Sequence, residues 1–392
     1  MPWRFGPYLL DVARREMRVA GEARPLQPQV FAVLAYLVRH RERVVPKEEL
    51  LRVLWPDAIV TDASLQRAVS LARRALLPAH RRLLRTFARQ GYRFTGEVDG
   101  GDEPPGEAPL PGPRYVRRGE VHVAYQTLGR GPLDLAIVLG WSLSMRSALE
   151  LPGVALLVRT LAARARVVLF DKRGTGASDR VKALPDLAGR VGDLEAVLDA
   201  VRSPGAVVVG FSEGGPLAVA LAATRPGRVR GLALVGAFAR MGAARDHAAG
   251  WRDAELTRLR GYIRERWGAG ATMAALIPAR HRSPEVQAWA ASAEQAGASP
   301  GAALDLLEMN LALDVRPLLA QVRAPTAVLH ATADPVVPVG NGRALAAAIR
   351  GARLVEVPGE DHAFLFGGRP VLERELGALL DGAALHAGVP LT

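Results

Sequence analysis

The sequence predicts two domains: a small α+β domain, then a larger α/β domain in which a mostly parallel sheet carries a helical insertion. Three observations carry this. The chain has 392 residues, more than the ~250 to 300 at which a single hydrophobic core stops growing. Residues 99–113, DGGDEPPGEAPLPGP, are dense in proline, glycine and acids and lack any apolar period, so they read as a linker. Beyond them strand-like and helical runs alternate, and most later strands are unbroken apolar stretches, as in a parallel sheet buried on both faces.

In the first domain, residues 1–98, short strands over Trp3–Phe5, Tyr8–Asp11 and Glu16–Val19 precede an amphipathic helix from about Gln27 to Arg39. Val30, Leu34, Leu37 and Val38 recur at helical spacing and form its inward face. A second helix starts near Pro46, a good first-turn residue, and a third runs from about Ser64 to Leu77. Leu84–Phe87 and Tyr92–Phe94 flank the turn ARQG and read as a hairpin. The second domain spans 114–392. Its strands are expected at Val121–Leu128, Leu135–Leu139, Val167–Phe170, Ala206–Val209, Leu232–Val235, Thr326–Leu329 and Leu354–Val357. From about residue 240 to 315 the alternation gives way to a long helical stretch, expected to cap the sheet.

An apolar fraction of 49% and a charged fraction of 23% are those of a soluble globular protein. The chain contains no cysteine, which excludes disulfides, thiolate metal sites and thiol nucleophiles together. MPWRFGPYLLD reaches an acid before any long apolar run and so does not read as a secretory leader. The one apolar window, Ala206–Thr224, contains Glu213, three glycines and a proline, and reads as strand, turn and helix rather than a membrane span. A cytoplasmic protein without membrane contact is expected.

Net charge is +12, and residues 1–98 hold 18 basic against 9 acidic residues, so most of the excess lies in the first quarter. Arginine is favoured throughout, with Lys47, Lys172 and Lys182 the only lysines. That preference does not account for the asymmetry, which points to a polyanion partner for the first domain. In its third helix Leu65, Ala68, Val69, Ala72 and Leu76 form one face, leaving Gln66, Arg67, Ser70, Arg73 and Arg74 on the other. Such side chains neutralise phosphates and read base edges, as a helix in a major groove must. Arg85, Arg89 and Arg93 are placed to add contacts from the hairpin. The strings LQPQVFAVLAYLVRHRERVVPKEELLRVLWPD, ASLQRAVSLARRAL and RTFARQGYRF resemble the OmpR/PhoB-type winged-helix domain in the variant that opens CadC-like regulators. The resemblance implies duplex DNA as partner. It departs from the pattern in having no receiver domain and no transmembrane helix after it.

The run AVVVGFSEGGPLAVALA is strand, G-x-S-x-G and helix. Gly210 and Gly214 leave room for a strained turn that lifts the Ser212 hydroxyl above the sheet. A serine hydroxyl needs a base to take its proton and a carboxylate to orient that base. Asp334, just past a strand in TAVLHATADPVVP, and His362, in VEVPGEDHAF, follow in the expected order. His330 is the rival histidine and is read as structural; Glu360 and Asp361 rank below Asp334 because adjacency to His362 directs them elsewhere. The tetrahedral intermediate needs two N–H donors. The amides of Glu213 and of Trp141, in VLGWSLS, are the candidates, and the Glu213 side chain is expected to turn away or be paired.

VVLFDKRGTGASDR, DLEAVLDAV, VVVGFSEGGPLAVALAATRPGRVRGLALVG and the TADPVVP and GEDHAF segments resemble α/β-hydrolases, over residues 115 to about 385. The resemblance implies the α/β-hydrolase fold with a helical cap, and carboxylic-ester hydrolysis through Ser212, Asp334 and His362 without metal or cofactor. Asp171, Arg173 and Asp193 match framework positions of the family. The His-Gly pair usual before the oxyanion loop is replaced by Leu139 and Gly140. A serine argues against dehalogenase and epoxide hydrolase chemistry, whose relatives place Asp there. A second reading stands beside the enzyme: a transcriptional regulator whose hydrolase-like domain senses a small ligand. Homodimerisation, substrate and operator stay open.

Overall fold

The computed structural model describes residues 3–11, 16–55, 62–88, 90–100, 111–278, 283–362, 364 and 368–387. The chain divides into two compact units, Met1–Leu110 and Pro111–Thr392.

In the first unit the short alternating runs pair as antiparallel strands: β1 (Trp3–Phe5), β2 (Tyr8–Asp11), β3 (Glu16–Val19) and β4 (Glu22–Ala23). Helices α1 (Pro28–Arg39), α2 (Lys47–Leu54) and α3 (Asp62–Ala75) follow, then a hairpin of β5 (Leu84–Phe87) and β6 (Gly91–Phe94). The faces expected from periodicity are the buried ones: Val30, Leu34, Leu37 and Val38 on α1, and Leu65, Ala68, Val69 and Ala72 on α3. They join Phe5, Tyr8, Leu50 and Phe94 in one core. Gly91 has φ +141°, and a Cβ there would lie 2.0 Å from the Val45 carbonyl oxygen. Glycine thus permits the close approach in which Val45 and Tyr92 exchange backbone hydrogen bonds of 2.8 and 3.0 Å. Asp99 and Gly100, which composition assigns to the linker, form β7 and pair with Arg4 and Trp3 of β1.

The second unit is built on an eight-stranded sheet. In chain order its elements begin with β8 (Arg114–Arg118), β9 (Val121–Leu128), β10 (Asp134–Val138), α4 (Met145–Glu150), α5 (Pro152–Ala162), β11 (Arg166–Phe170) and α6 (Leu187–Ala200). There follow β12 (Ala206–Phe211), α7 (Gly214–Thr224), β13 (Val229–Val235), α8 (Asp253–Arg266), α9 (Ala271–Ala274), α10 (Pro284–Gly297) and α11 (Pro300–Ala312). The last are β14 (Thr326–Ala331), α12 (Gly340–Ala348), β15 (Arg353–Val357) and α13 (Arg369–Ala387). The strand order is β15-β14-β13-β12-β10-β11-β9-β8; the six strands from β15 to β11 run parallel and β9 and β8 antiparallel.

Strands β10, β12 and β13 are apolar on both faces because helices cover both: α6 and α7 pack together on the sheet, as do α5 and α13. β8 was not anticipated. Its sequence, RYVRR, sets Tyr115 and Val116 between arginines and lies largely exposed at the sheet edge, where charge is the usual protection against further pairing.

Between β13 and β14, helices α8 to α11 form the cap. Three indole N–H groups pin its chain: Trp251 donates to the Val336 carbonyl (2.6 Å), Trp267 to Ala298 (2.9 Å) and Trp289 to Ser147 (2.8 Å). Among the described residues no helix is long and apolar enough to cross a membrane.

Candidate active site

Strand β12 ends at Phe211, and the next residue, Ser212, adopts φ +51°, a left-handed conformation that costs a non-glycine residue roughly 1–3 kcal/mol. Neighbouring backbone holds it there: Ser212 N–H donates to the Val235 carbonyl (2.9 Å), and Gly215 N–H donates to the Ser212 carbonyl (3.0 Å). The turn is tight enough to require the flanking glycines. A Cβ on Gly214 would sit 2.2 Å from the Val138 carbonyl oxygen, and one on Gly210 would lie 2.8 Å from the Gly215 Cα. The helix α7 begins directly afterwards, with Glu213 as its N-cap residue.

Ser212 is partly exposed and lines a cavity of about 620 Å³. His362 lines it too, with apolar walls that include Leu139, Phe238, Met273 and Trp289. Asp334, in the loop after β14, is buried, and both of its carboxylate oxygens are hydrogen-bonded. Its Oδ1 accepts from the amides of Val336 (2.8 Å) and Val337 (2.9 Å), and its Oδ2 lies 2.6 Å from His362 Nδ1. A carboxylate only accepts, so the proton of this bond belongs to Nδ1 and leaves Nε2 of the imidazole as an acceptor. Gly236, at φ +53°, makes room for that ring: a Cβ there would be 2.9 Å from His362 Cε1.

His330, the rival histidine, is fully buried in β14, and its Nε2 donates to the Val337 carbonyl at 2.7 Å. Burial, above all, lowers its pKa, so it stays neutral and serves as a strut for the loop that carries Asp334. Glu360 is exposed, and the acid bonded to the imidazole is Asp334.

Trp141 follows β10 and lines the same cavity. The backbone before it presses on the serine: a Cβ on Gly140 would be 3.2 Å from Ser212 Cβ. Glu213 is paired, as anticipated, but by residues that the sequence did not single out as its partners. Its two carboxylate oxygens accept from Lys172 and Arg190, and all three side chains are buried. Lys172 Nζ also donates to the Leu139 carbonyl at 2.8 Å. Burial pushes the Lys172 ammonium below its ordinary pKa.

The framework residues have structural partners. Asp171 accepts from the amides of Met145 and Ala177, both at 2.7 Å, and Arg173 holds Asp193 from Nε at 3.0 Å and from Nη2 at 2.5 Å.

A further residue, Glu294 of α10, lies in the cap and is fully buried. It accepts from the amides of Gly268 (2.9 Å), Gly270 (2.9 Å) and Thr272 (2.8 Å), the Thr272 hydroxyl (2.6 Å) and the Tyr262 hydroxyl (2.8 Å). Tyr262 and Thr272 both line the cavity, so this carboxylate shapes its wall. Burial above all, helped by the hydrogen bond to Glu294, raises the Tyr262 pKa to about 12.

In the first unit, Gln66, Arg67, Ser70 and Arg74 of α3 are exposed. Arg73 is not free in the same way: it is half-buried and donates to the Leu84 carbonyl (2.8 Å) and the Thr86 hydroxyl (2.7 Å), tying α3 to the hairpin. Arg93 donates to the Arg41 carbonyl (2.9 Å), whereas Arg85 is exposed. Arg89 lies outside the described residues.

A strand-turn-helix elbow bearing a serine, followed by an aspartate and a histidine from the ends of later parallel strands, defines a hydrolase of the α/β class. The chain belongs to the alpha/beta hydrolase fold family, whose model matches residues 147–368, and residues 21–94 match the C-terminal domain of transcriptional regulatory proteins, the OmpR/PhoB type. It is 31% identical to a putative carbamate hydrolase, RutD, of Azorhizobium caulinodans over 64% of this chain and 91% of that protein. It is 34% identical to a pimeloyl-[acyl-carrier protein] methyl ester esterase of Chromobacterium violaceum over 61% of this chain and 90% of that protein. Among solved structures, an esterase from a Rhodococcus species aligns with a TM-score of 0.56 and 26% identity over 69% of this chain and 98% of its own.

Proposed function

We propose that the second unit is a serine hydrolase that cleaves carboxylic esters through Ser212, His362 and Asp334, and that the first unit binds duplex DNA. The observation that carries the enzymatic reading is the 2.6 Å bond from His362 Nδ1 to the buried Asp334, with His362 and the strained Ser212 opening onto one cavity.

Ser212 Oγ attacks the ester carbonyl carbon while its proton passes to His362 Nε2. Asp334 holds the ring in the required tautomer and stabilises the imidazolium that forms. The carbonyl oxygen becomes an oxyanion, received by the amides of Glu213 and Trp141. Collapse breaks the bond to the leaving alkoxide, which takes the proton back from His362 and departs as an alcohol. Water then gives a proton to His362 as its oxygen attacks the acyl-enzyme; the acid is released and Ser212 regains its proton. The apolar cavity favours esters with an uncharged, hydrocarbon acyl or alcohol group. The esterase named among the relatives supports ester chemistry; the carbamate hydrolase marks the nearest alternative substrate.

For the first unit the reading rests on its family match and on the exposed Gln66, Arg67, Ser70 and Arg74 of α3. Gln66 and Ser70 have hydrogen-bonding side chains suited to base edges, and the arginines have charges suited to phosphates.

The test pairs hydrolysis of p-nitrophenyl esters of graded chain length with a DNA mobility shift, on wild type and Ser212→Ala. Hydrolysis is expected in the wild type and should fall ~10⁴-fold or more in the variant, because triad members act as a unit. The mobility shift should be unchanged. Absence of hydrolysis in the wild type would replace the enzyme by a ligand-sensing regulator, and wild-type activity in the variant would remove Ser212 as nucleophile.

A further inference from the structure

The elbow of this protein carries an apparent flaw. Glu213 supplies one of the proposed oxyanion amides, yet a carboxylate beside a developing negative charge opposes the reaction. The residues around it answer this. Lys172 and Arg190 each hold one of its oxygens, and both come from outside the cavity wall. Lys172 then reaches further, to the Leu139 carbonyl at 2.8 Å. Leu139 stands two residues before Trp141, the other proposed donor, so one ammonium joins the side chain of Glu213 to the backbone segment that leads to Trp141. No other side chain among the described residues is bonded to both.

We propose that Lys172 is a positioning residue for the hydrolytic step: with Arg190 it neutralises Glu213, and by bridging Glu213 to Leu139 it holds the two oxyanion donors in register. This rests on the ester-hydrolase reading above. Stability alone is a poor account of the cluster, since buried ion pairs replaced by apolar residues are often neutral or better. Arg190 also leaves its Nη1 buried without a hydrogen-bond partner among the described residues, a further cost for a cluster that served only the fold.

Removing Lys172 should therefore act on the chemical step rather than on substrate binding. In the full chain, Lys172→Met is expected to lower kcat about 10- to 100-fold with KM within threefold, and Lys172→Arg to restore part of the loss. A trifluoromethyl ketone, which adds Ser212 Oγ to its carbonyl carbon and presents an oxyanion to the same donors, should lose affinity by a similar factor. Affinity for a carboxylic-acid product should change little. If Lys172→Met does not fold by circular dichroism, Lys172→Gln, which keeps a donor for Leu139 but no charge, is read in the same way.

A kcat within twofold of wild type overturns the proposal. So does a kcat loss with unaltered trifluoromethyl ketone affinity, because that marks general damage. A wild type without esterase activity would instead bring down the hydrolase reading on which this stands.

Discussion

Ser212 at φ +51° illustrates how a single residue can be held in place at a cost to the fold. The strained serine is kept by bonds on both sides of it, and the glycines around it are there for space: Gly214→Ala would drive a methyl to within 2.2 Å of the Val138 carbonyl oxygen. That variant should lower thermal stability and esterase activity together, as a melting curve and a p-nitrophenyl butyrate assay would reveal. Asp334→Asn is the contrasting case. Asparagine keeps the shape and one acceptor oxygen for Val336 and Val337, but its amide nitrogen, facing His362 Nδ1, would favour the wrong tautomer. A loss of ~10⁴-fold in kcat with little change in melting temperature is expected; an active, equally stable variant would remove Asp334 from the mechanism. At this scale Ser212, Asp334 and His362 could be picked out as the proposed nucleophile, acid and base, because that chain order has few substitutes in a sequence without cysteine. Lys172 and Arg190 were not. They stand 41 and 23 residues from Glu213, and only the sheet brings them beside it.

Elements act through carboxylates that hold several donors at once. Glu294 fastens the chain between α8 and α9 to α10 and, among the described residues, is held by five donors and no cation. In Glu294→Gln one oxygen is replaced by an amide NH2, which leaves buried donors facing a donor; each unmet group costs ~1–3 kcal/mol. The cap should loosen, so KM for long-chain esters should rise more than kcat falls, and limited proteolysis should cut the cap earlier than in the wild type.

In the first unit, Glu49 of α2 takes two bonds from Arg43 (2.6 and 2.8 Å) and one from the Tyr36 hydroxyl (2.7 Å). Arg43, foremost, holds its pKa down to about 2 from the ordinary 4.5. A folded pKa below the unfolded one means stability present above about pH 4.5 and lost as pH falls from there toward about 2. Glu49→Gln should flatten that part of the stability curve, measured by circular dichroism of the α-helical signal against pH. Helix α3 divides its arginines in a similar way. Arg67→Ala should reduce the log–log salt slope of DNA binding by about one, as a lost phosphate contact does. Arg73→Ala should instead lower stability, since Arg73 is spent on Leu84 and Thr86. The helices themselves were legible from apolar spacing, which burial obeys closely. The edge strand β8 was not, since its arginine-rich run has neither an apolar face nor an alternation to follow.

At the scale of the whole molecule, each unit has its own core, one around Phe5, Leu34 and Phe94 and the other around Val138, Val208 and Leu234. Units with separate cores unfold as separate cooperative events. Calorimetry of the full chain should accordingly resolve two transitions, with the one that belongs to the first unit moving to lower temperature as the medium is acidified through the Glu49 range. A single transition at every pH would show the two cores to be thermodynamically coupled.

The sequence by itself determined what is local or periodic: the apolar spacing of the helices, the unbroken runs of the parallel strands, the glycine-flanked serine, and the order of acid and histidine after it. These are legible because each is a property of neighbours along the chain. Only the tertiary structure decided which arginine of α3 is free and which is tied to the hairpin, and which cations neutralise Glu213. It likewise decided that His330 braces a loop while His362 pairs with Asp334 beside the cavity that Ser212 also lines, and that Glu294 organises the cap. The reason is the same in each case. A buried polar group must find its partner in space, and partners supplied by different strands and helices leave no trace in the spacing of either.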